Sequence, residues 1–258
     1  MLTAKPTEIV FEKTCEASPA QITVTITCFK YGVEGREALD SLLSQTETCL
    51  DVVLIDDRSP DDSVERLLPW FEENASNPKF GRLLFIRHVE NQGLSQSRNT
   101  ALSHVKTPYV FILDADNMIY PRALQVLREA LENSGRAMAY SLIERFEAEA
   151  GIMGNSLWIP ERFAHTNYVD AMALIRMDVL REIGGYRIMP FKFGWEDYDL
   201  WCSFVDRGLK GCHVPQILCR YRVHYQSMLR TSTNNIVVER GDEIRADMEA
   251  HHNFKFLF

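Results

Sequence analysis

Two carboxylates one residue apart, Asp114 and Asp116, close the run Tyr109-Val110-Phe111-Ile112-Leu113. A continuous apolar run of this length reads as a strand buried on both faces, so the acid is delivered to the edge of a sheet. Paired hard oxygen ligands at the carboxyl end of a parallel strand suit Mg²⁺ or Mn²⁺, and such an ion is most often needed to neutralise phosphate. A plainer role fits the same residues: Asp114 ends the strand in a turn, and Asp116 or Asn117 caps the helix that starts near Pro121.

Further acid and base collect elsewhere in the chain. Asp56-Asp57 ends the apolar stretch Val52-Val53-Leu54-Ile55, which puts up to four carboxylates on one sheet edge. Arg98 lies in Asn91-Gln92-Gly93-Leu94-Ser95-Gln96-Ser97-Arg98-Asn99, where Gly93 permits close backbone approach and a helix N-terminus can face an anion. Its alternative is a solvated helix arginine. Glu196-Asp197-Tyr198-Asp199 opens a helix after Gly194-Trp195. Acid there complements the helix dipole, and Asp197, three and four places before Leu200 and Trp201, also shares their inward face as a general base would, with Asp199 rotated away. In Tyr221-Arg222-Val223-His224 the alternation sends Arg222 and His224 to one face, and His224 reads as a structural histidine, a third metal ligand or a diphosphate contact before the polar turn Gln226-Ser227.

The elements that must position these residues alternate. Strands at Ile22–Thr27, Asp51–Ile55, Leu83–Ile86 and Tyr109–Leu113 are separated by helical stripes, among them Val64, Leu67, Leu68 and Phe71, with Asp61 or Asp62 placed to cap that helix. This rhythm predicts an α/β domain with a mostly parallel sheet covered by helices and ligands at its carboxyl edge. Beyond Pro121 come a helix with Leu124, Leu127 and Leu131 that stops at Gly135, a strand at 137–143, and a long unpatterned loop at 148–168 that holds Trp158, His165 and Tyr168 and reads as a binding flap. A helix at 196–207 and a strand at 217–223 follow. Residues 1–20 read as a loosely attached lead-in and residues 231–258 as an irregular tail, leaving a single domain at 21–230.

The 258 residues are 46% hydrophobic and 25% charged, with a formal charge of −8, which gives no electrostatic grip on nucleic acid or an anionic membrane. Six cysteines (Cys15, Cys28, Cys49, Cys202, Cys212, Cys219) show no Cys-x-x-Cys spacing, so a reduced, cytoplasmic compartment is expected. No apolar run reaches membrane-spanning length, and any membrane association is expected to be peripheral, at the inner face, or through a partner segment.

With these residues in view, the chain resembles a family 2 glycosyltransferase of the GT-A (Rossmann-like) fold from Ile22 to Met228. The motifs arrive in the family's order: Thr27-Cys28-Phe29-Lys30-Tyr31, Ser44-Gln45-Thr46, Ile55-Asp56-Asp57-Arg58-Ser59, Asn91-Gln92-Gly93-Leu94-Ser95 with Arg98-Asn99, Leu113-Asp114-Ala115-Asp116, Gly184-Gly185-Tyr186, Trp195-Glu196-Asp197 and Tyr221-Arg222-Val223-His224. The resemblance implies a nucleotide-binding half at 21–117 and an acceptor half at 118–230. It implies that Thr27 and Phe29 border the nucleoside and that Asp57, with Asp56 and Gly93, serves the nucleotide. Arg98 would approach the base and diphosphate. Asp116 with Asp114, joined by His224, would hold Mn²⁺ or Mg²⁺, and Asp197 would be the catalytic base. Trp158, Tyr168, Asp170, Trp195 and Glu196 are the expected sugar and acceptor contacts.

The implied reaction is inverting transfer of one sugar from a nucleotide-sugar, a UDP-sugar by preference, to a glycan or lipid-linked acceptor. Thr27-Cys28-Phe29-Lys30 departs from the Pro-Thr-Tyr-Asn of many members, and the Gln-x-x-Arg-Trp sequence of processive synthases is absent from the chain. Two other enzyme readings fit less well. A haloacid dehalogenase-type phosphatase would need a threonine where Met118 stands, and a dinucleotide oxidoreductase would need Gly-x-Gly-x-x-Gly. A nucleotide-sugar-binding module without chemistry is the non-enzyme alternative.

Overall fold

The computed structural model describes residues 2–14, 20–190, 194–225 and 227–258, so Cys15 and Gln226 of the expected polar turn lie outside the described residues. In chain order the first half comprises β1 (Thr7–Thr14), β2 (Ile22–Cys28), α1 (Gly32–Leu43), β3 (Leu50–Asp56), α2 (Ser63–Glu73), β4 (Phe80–His88), α3 (Leu94–Ser103) and β5 (Tyr109–Asp114). The second half adds β6 (Met118–Ile119), α4 (Ala123–Ser134), β7 (Met138–Glu147), β8 (Gly151–Met153), a 3₁₀ turn at Pro160–Ala164, β9 (Ala173–Arg176), α5 (Met177–Ile183), α6 (Glu196–Asp206), β10 (Gly211–Val223) and α7 (Asn234–His251).

All ten strands form one sheet in the order β1-β4-β3-β2-β5-β9-β7-β10-β6, with β8 on β7. The run β4-β3-β2-β5 is parallel, as the strand-helix alternation predicts. Antiparallel partners enter where hairpins or edges replace crossovers: β1 on β4, β9 between β5 and β7, and β6 on β10. Alternation along β5 sends Phe111 and Leu113 into one apolar core with α1, α2 and α4, and Val110 and Ile112 into another with α3, α5, α6 and α7. Register then fixes the site, because Thr27 of β2 sits opposite Ile55 of β3 and Asp114 of β5. The ends of three strands share one edge.

Three sequence expectations need correction. Residues 7–14 of the lead-in are an edge strand; one face stays in solvent, so only Ile9, Val10 and Phe11 broke the polar pattern. The tail is built around α7, whose fully buried residues are Ile244 and Met248. Two buried side chains in eighteen residues leave no apolar stripe to read. After α7, His252 lies between Asp199 and Asp206, and Phe254, Phe256 and Phe258 stack in sequence against Tyr198 and Trp195. The 148–168 loop is not structureless either: it contains β8 and the 3₁₀ turn.

Candidate active site

The shared strand edge opens on a crevice of about 1360 Å³, lined by Thr27, Phe29, Asp57 and Gly93 from the first half of the chain and by Tyr168, Trp195 and Asp197 from the second. Asp57 works as a latch. Its Oδ1 accepts a bond from the Gln92 amide (2.8 Å) and lies 2.7 Å from His88 Nδ1; its Oδ2 accepts from the Gly93 amide (2.7 Å). Gly93, at φ 86°, turns the chain there into α3, a conformation that favours glycine. Oδ2 keeps one lone pair for a ligand. Asp56 departs from expectation: it is fully buried, takes bonds from the Ser59 amide and Arg87 Nε, and is not part of the crevice wall. One strand end thus splits its two acids between scaffold and site, because successive side chains leave a strand on opposite faces.

Arg98 ties the halves together. From α3 its Nη2 donates to Asp114 Oδ1 (2.7 Å) at the end of β5 and its Nη1 to Glu196 Oε1 at the start of α6. The side chain is 2% exposed, so the solvated reading is excluded. Burial works against the guanidinium charge, and the two carboxylates more than offset it, holding the pKa well above its ordinary value. Tyr186 lies over the guanidinium (5.3 Å), and Asn99, next to Arg98, clamps the Tyr186 backbone: Nδ2 donates to its carbonyl (2.7 Å) and Oδ1 accepts from its amide (2.8 Å). The motifs Arg98-Asn99 and Gly184-Gly185-Tyr186 are therefore two sides of one joint.

Asp114 and Asp116 sit in a turn held from behind. The Asn117 amide donates to the Asp114 carbonyl (3.0 Å), Arg222 Nε donates to the Asp116 carbonyl (2.9 Å), and the Arg222 amide donates to Asn117 Oδ1 (2.9 Å). Helix α4 begins two residues after Pro121 without a side-chain cap, which removes the capping role for Asp116 or Asn117. Asp116 Oδ2 lies 3.2 Å from His224 Nε2, which lies 3.4 Å from the Tyr31 hydroxyl. Burial and the neighbouring Asp114 push the Asp116 carboxyl up to about 6. Asp114 beside it and partial desolvation disfavour the negative charge of Asp116, and a cation relieves that cost. Hard oxygens with one imidazole suit Mg²⁺ or Mn²⁺. Among the described residues no three His, Cys, Asp or Glu side chains form a ready cage, so an ion would complete its shell with phosphate oxygens and water.

Asp197 stands on the first turn of α6. Its Oδ2 accepts from Asn167 Nδ2 (2.9 Å) and its Oδ1 from the Tyr198 amide (2.7 Å). Burial raises its pKa despite the pull of Arg98, which makes it a stronger base than a free aspartate. Asp199 is rotated away as expected, and is buried between Arg187 and His252. Trp195 precedes the helix at φ 86°, which bulky residues rarely adopt, and is packed edge-on by Tyr198 (5.4 Å) and Phe258 (5.1 Å).

Of the expected sugar contacts, Tyr168, Asp170 and Trp195 line the crevice. Glu196 lines it too, though 3% exposed and spent largely on Arg98; burial pushes its carboxyl up against that pull. Trp158 is a correction: it is not in the crevice wall but packs on Phe163 (4.9 Å), Trp201 (6.4 Å) and Phe204 (6.2 Å). A loop tryptophan gives no sequence sign of which side it faces. Sequence reasoning also missed Asn167 and gave no role to Asn99 and Arg222, whose importance lies in partners 30 to 106 residues away.

The model of the family described as Glycosyl transferase family 2 matches residues 23–196. Among curated proteins, the Escherichia coli (strain K12) uncharacterized glycosyltransferase YibD is 34% identical over 83% of this chain and 64% of its own length. The Escherichia coli UDP-Glc:alpha-D-GlcNAc-diphosphoundecaprenol beta-1,3-glucosyltransferase WfaP is 23% identical over 85% of this chain and 84% of its own. Among solved structures, S. aureus TarS 1-349 in complex with UDP-GlcNAc superposes with a TM-score of 0.70 at 15% identity, covering 91% of this chain and 68% of that one. The mannosyltransferase PcManGT from Pyrobaculum calidifontis, in complex with GDP-Man and Mn²⁺, gives 0.62 at 19% identity over 82% and 59%. These two likenesses establish the fold, and the family match extends across the strand edge and ends at Glu196. The chain belongs to glycosyl transferase family 2 and is a glycosyltransferase.

Proposed function

We propose that the chain transfers a single sugar, with inversion, from a UDP-sugar to a hydroxyl of a glycan or lipid-linked acceptor. The observation that carries this reading is the placement of Asp197 on the crevice wall, fixed by two hydrogen bonds and raised in pKa by burial. Each of its oxygens keeps a lone pair for the acceptor hydroxyl. Asp197 removes that proton while the hydroxyl oxygen bonds to the anomeric carbon; the bond from that carbon to the diphosphate breaks, and the electron pair leaves with the nucleoside diphosphate. One displacement of this kind inverts the anomeric centre.

Thr27, Phe29 and the free lone pair of Asp57 Oδ2 are placed to meet the nucleoside, and Arg98 holds Asp114 and Glu196 in fixed positions for the diphosphate and sugar. Asp116, with Asp114 and His224, would hold Mn²⁺ or Mg²⁺, which supplies positive charge to the departing diphosphate. The UDP-GlcNAc complex of TarS and the Mn²⁺ complex of PcManGT support the nucleotide-sugar and the cation parts of the reading.

Release of nucleoside diphosphate from UDP-GlcNAc, UDP-glucose and GDP-mannose, each with Mn²⁺, tests the proposal. One donor is expected to react, and Asp197→Asn to lower its turnover by about 10²–10⁴-fold with nucleotide binding retained. Unchanged turnover in that variant would remove Asp197 as the base.

A further inference from the structure

We propose that Asn167 is a positioning residue for the base: its amide nitrogen aims the Asp197 carboxylate, and its amide oxygen receives a hydroxyl of the incoming sugar. The inference rests on the assignment of Asp197 above, and it starts from where Asn167 is held. Three residues of α6 bond the segment 163–169 in turn: Asp197 accepts from Asn167 Nδ2 (2.9 Å), the Tyr198 hydroxyl donates to the Phe163 carbonyl, and Trp201 Nε1 donates to the Val169 carbonyl (2.9 Å). Residues on both sides of Asn167 are thus pinned to the helix that carries the base. Phe163 is fully buried and Val169 nearly so, which leaves the peptide little room to shift.

Chemistry sets the orientation of the amide. An ionised carboxylate only accepts, so the NH₂ must face Asp197 and the carbonyl must face away. That carbonyl, Oδ1, is buried and has no hydrogen-bond partner, and Asn167 lines the crevice. A buried amide oxygen is costly to leave unpaired, so the site is short of one donor. A sugar hydroxyl can supply that donor, and a bare anion cannot. Glu196 Oε2, equally buried and unpartnered on the same turn of α6, points to the same need.

The charged and titratable groups around Asp197 are Glu196 on its own helix, Arg98 from α3, Asp114 from β5, Asp170 ahead of β9, Tyr186 and Tyr221. Arg98 and the amides of Asn167 and Tyr198 favour the charged base, and the neighbouring acids oppose it. Deleting the Asn167 amide removes a neutral donor and leaves every charge in place.

The test uses the full chain with UDP-GlcNAc and UDP-glucose, following UDP release, for Asn167→Ala and the isosteric Asn167→Asp. Both are expected to bind UDP as the parent does, by thermal shift, and to lose about 10–100-fold in turnover with little change in the donor KM. In Asn167→Ala the acid limb of the pH profile is expected to move to higher pH, because the charged base has lost a donor. Parental turnover and an unmoved acid limb in both variants would overturn the proposal, as would a loss confined to the donor KM. If the parent itself binds no UDP, the reading of the site as a nucleotide-sugar site fails instead, and the two failures are distinct.

Discussion

Arg98 and Glu196 lie 98 residues apart in sequence and meet as an ion pair, their side chains 2% and 4% exposed, that joins α3 to the first turn of α6. With Asp114 on the other arm of the guanidinium, this pair ties the ends of β5 and α6, and so Asp114 and Asp197, to one side chain. Removing the cation leaves two carboxylates with a large share of their charge uncompensated. Arg98→Met is therefore expected to destabilise the fold by about 3–5 kcal/mol, measured by urea unfolding. A loss under about 1 kcal/mol would show that the acids find other partners.

Gly185 sits at φ +82°, and a Cβ there would come 2.4 Å from Asn99 Oδ1, the atom that receives the Tyr186 amide. Gly185→Ala is expected to cost about 1–3 kcal/mol from backbone strain and the displaced Asn99 bond, and to lower the thermal midpoint. Gly184, also at positive φ, has open space around its missing Cβ, so Gly184→Ala meets the backbone penalty alone and is expected to cost less.

Asp170 is expected to make stability depend on pH. Burial first, then the charges of Asp114 and Asp197, push its carboxyl up to about 7, against an unfolded value near 3.8. Between those values the folded state binds the extra proton, so this group's contribution is fully present below about 4 and is lost as pH rises through 7. Asp170→Asn keeps an acceptor for the Met172 amide, now at 2.9 Å from Asp170 Oδ1. The variant is expected to melt higher than the parent at pH 8.5, with the advantage shrinking at pH 6. An advantage that is constant with pH would contradict the shift.

Sequence periodicity made the parallel core legible because β2 to β5 are buried on both faces: β3 and β5 read as near-continuous apolar runs ending in acid, and β2 as a run of β-branched residues. It could not make β1 or α7 legible, since each buries too few residues to leave a pattern. The same division runs through the site. Asp57, Asp114, Asp116 and Asp197 stand at element ends, where spacing places them, and Arg98 stands on the second turn of α3. Asp56 and Trp158 did not reveal which way they turn. Asn167, Asn99 and Arg222 act through hydrogen bonds across the fold, and a bond between distant residues has no signature in one chain.

The central claim is a nucleotide site completed by a cation at Asp116, and melting the protein with UDP, in Mn²⁺ and in EDTA, measures it most directly. UDP at a hundred times its dissociation constant stabilises by about 2.7 kcal/mol, which raises the midpoint of a chain this size by about 5–10 °C. That shift is expected with Mn²⁺, is expected to fall sharply in EDTA, and is expected to be lost in Asp116→Asn. No shift with UDP, or one of equal size in EDTA and in Asp116→Asn, would contradict the account.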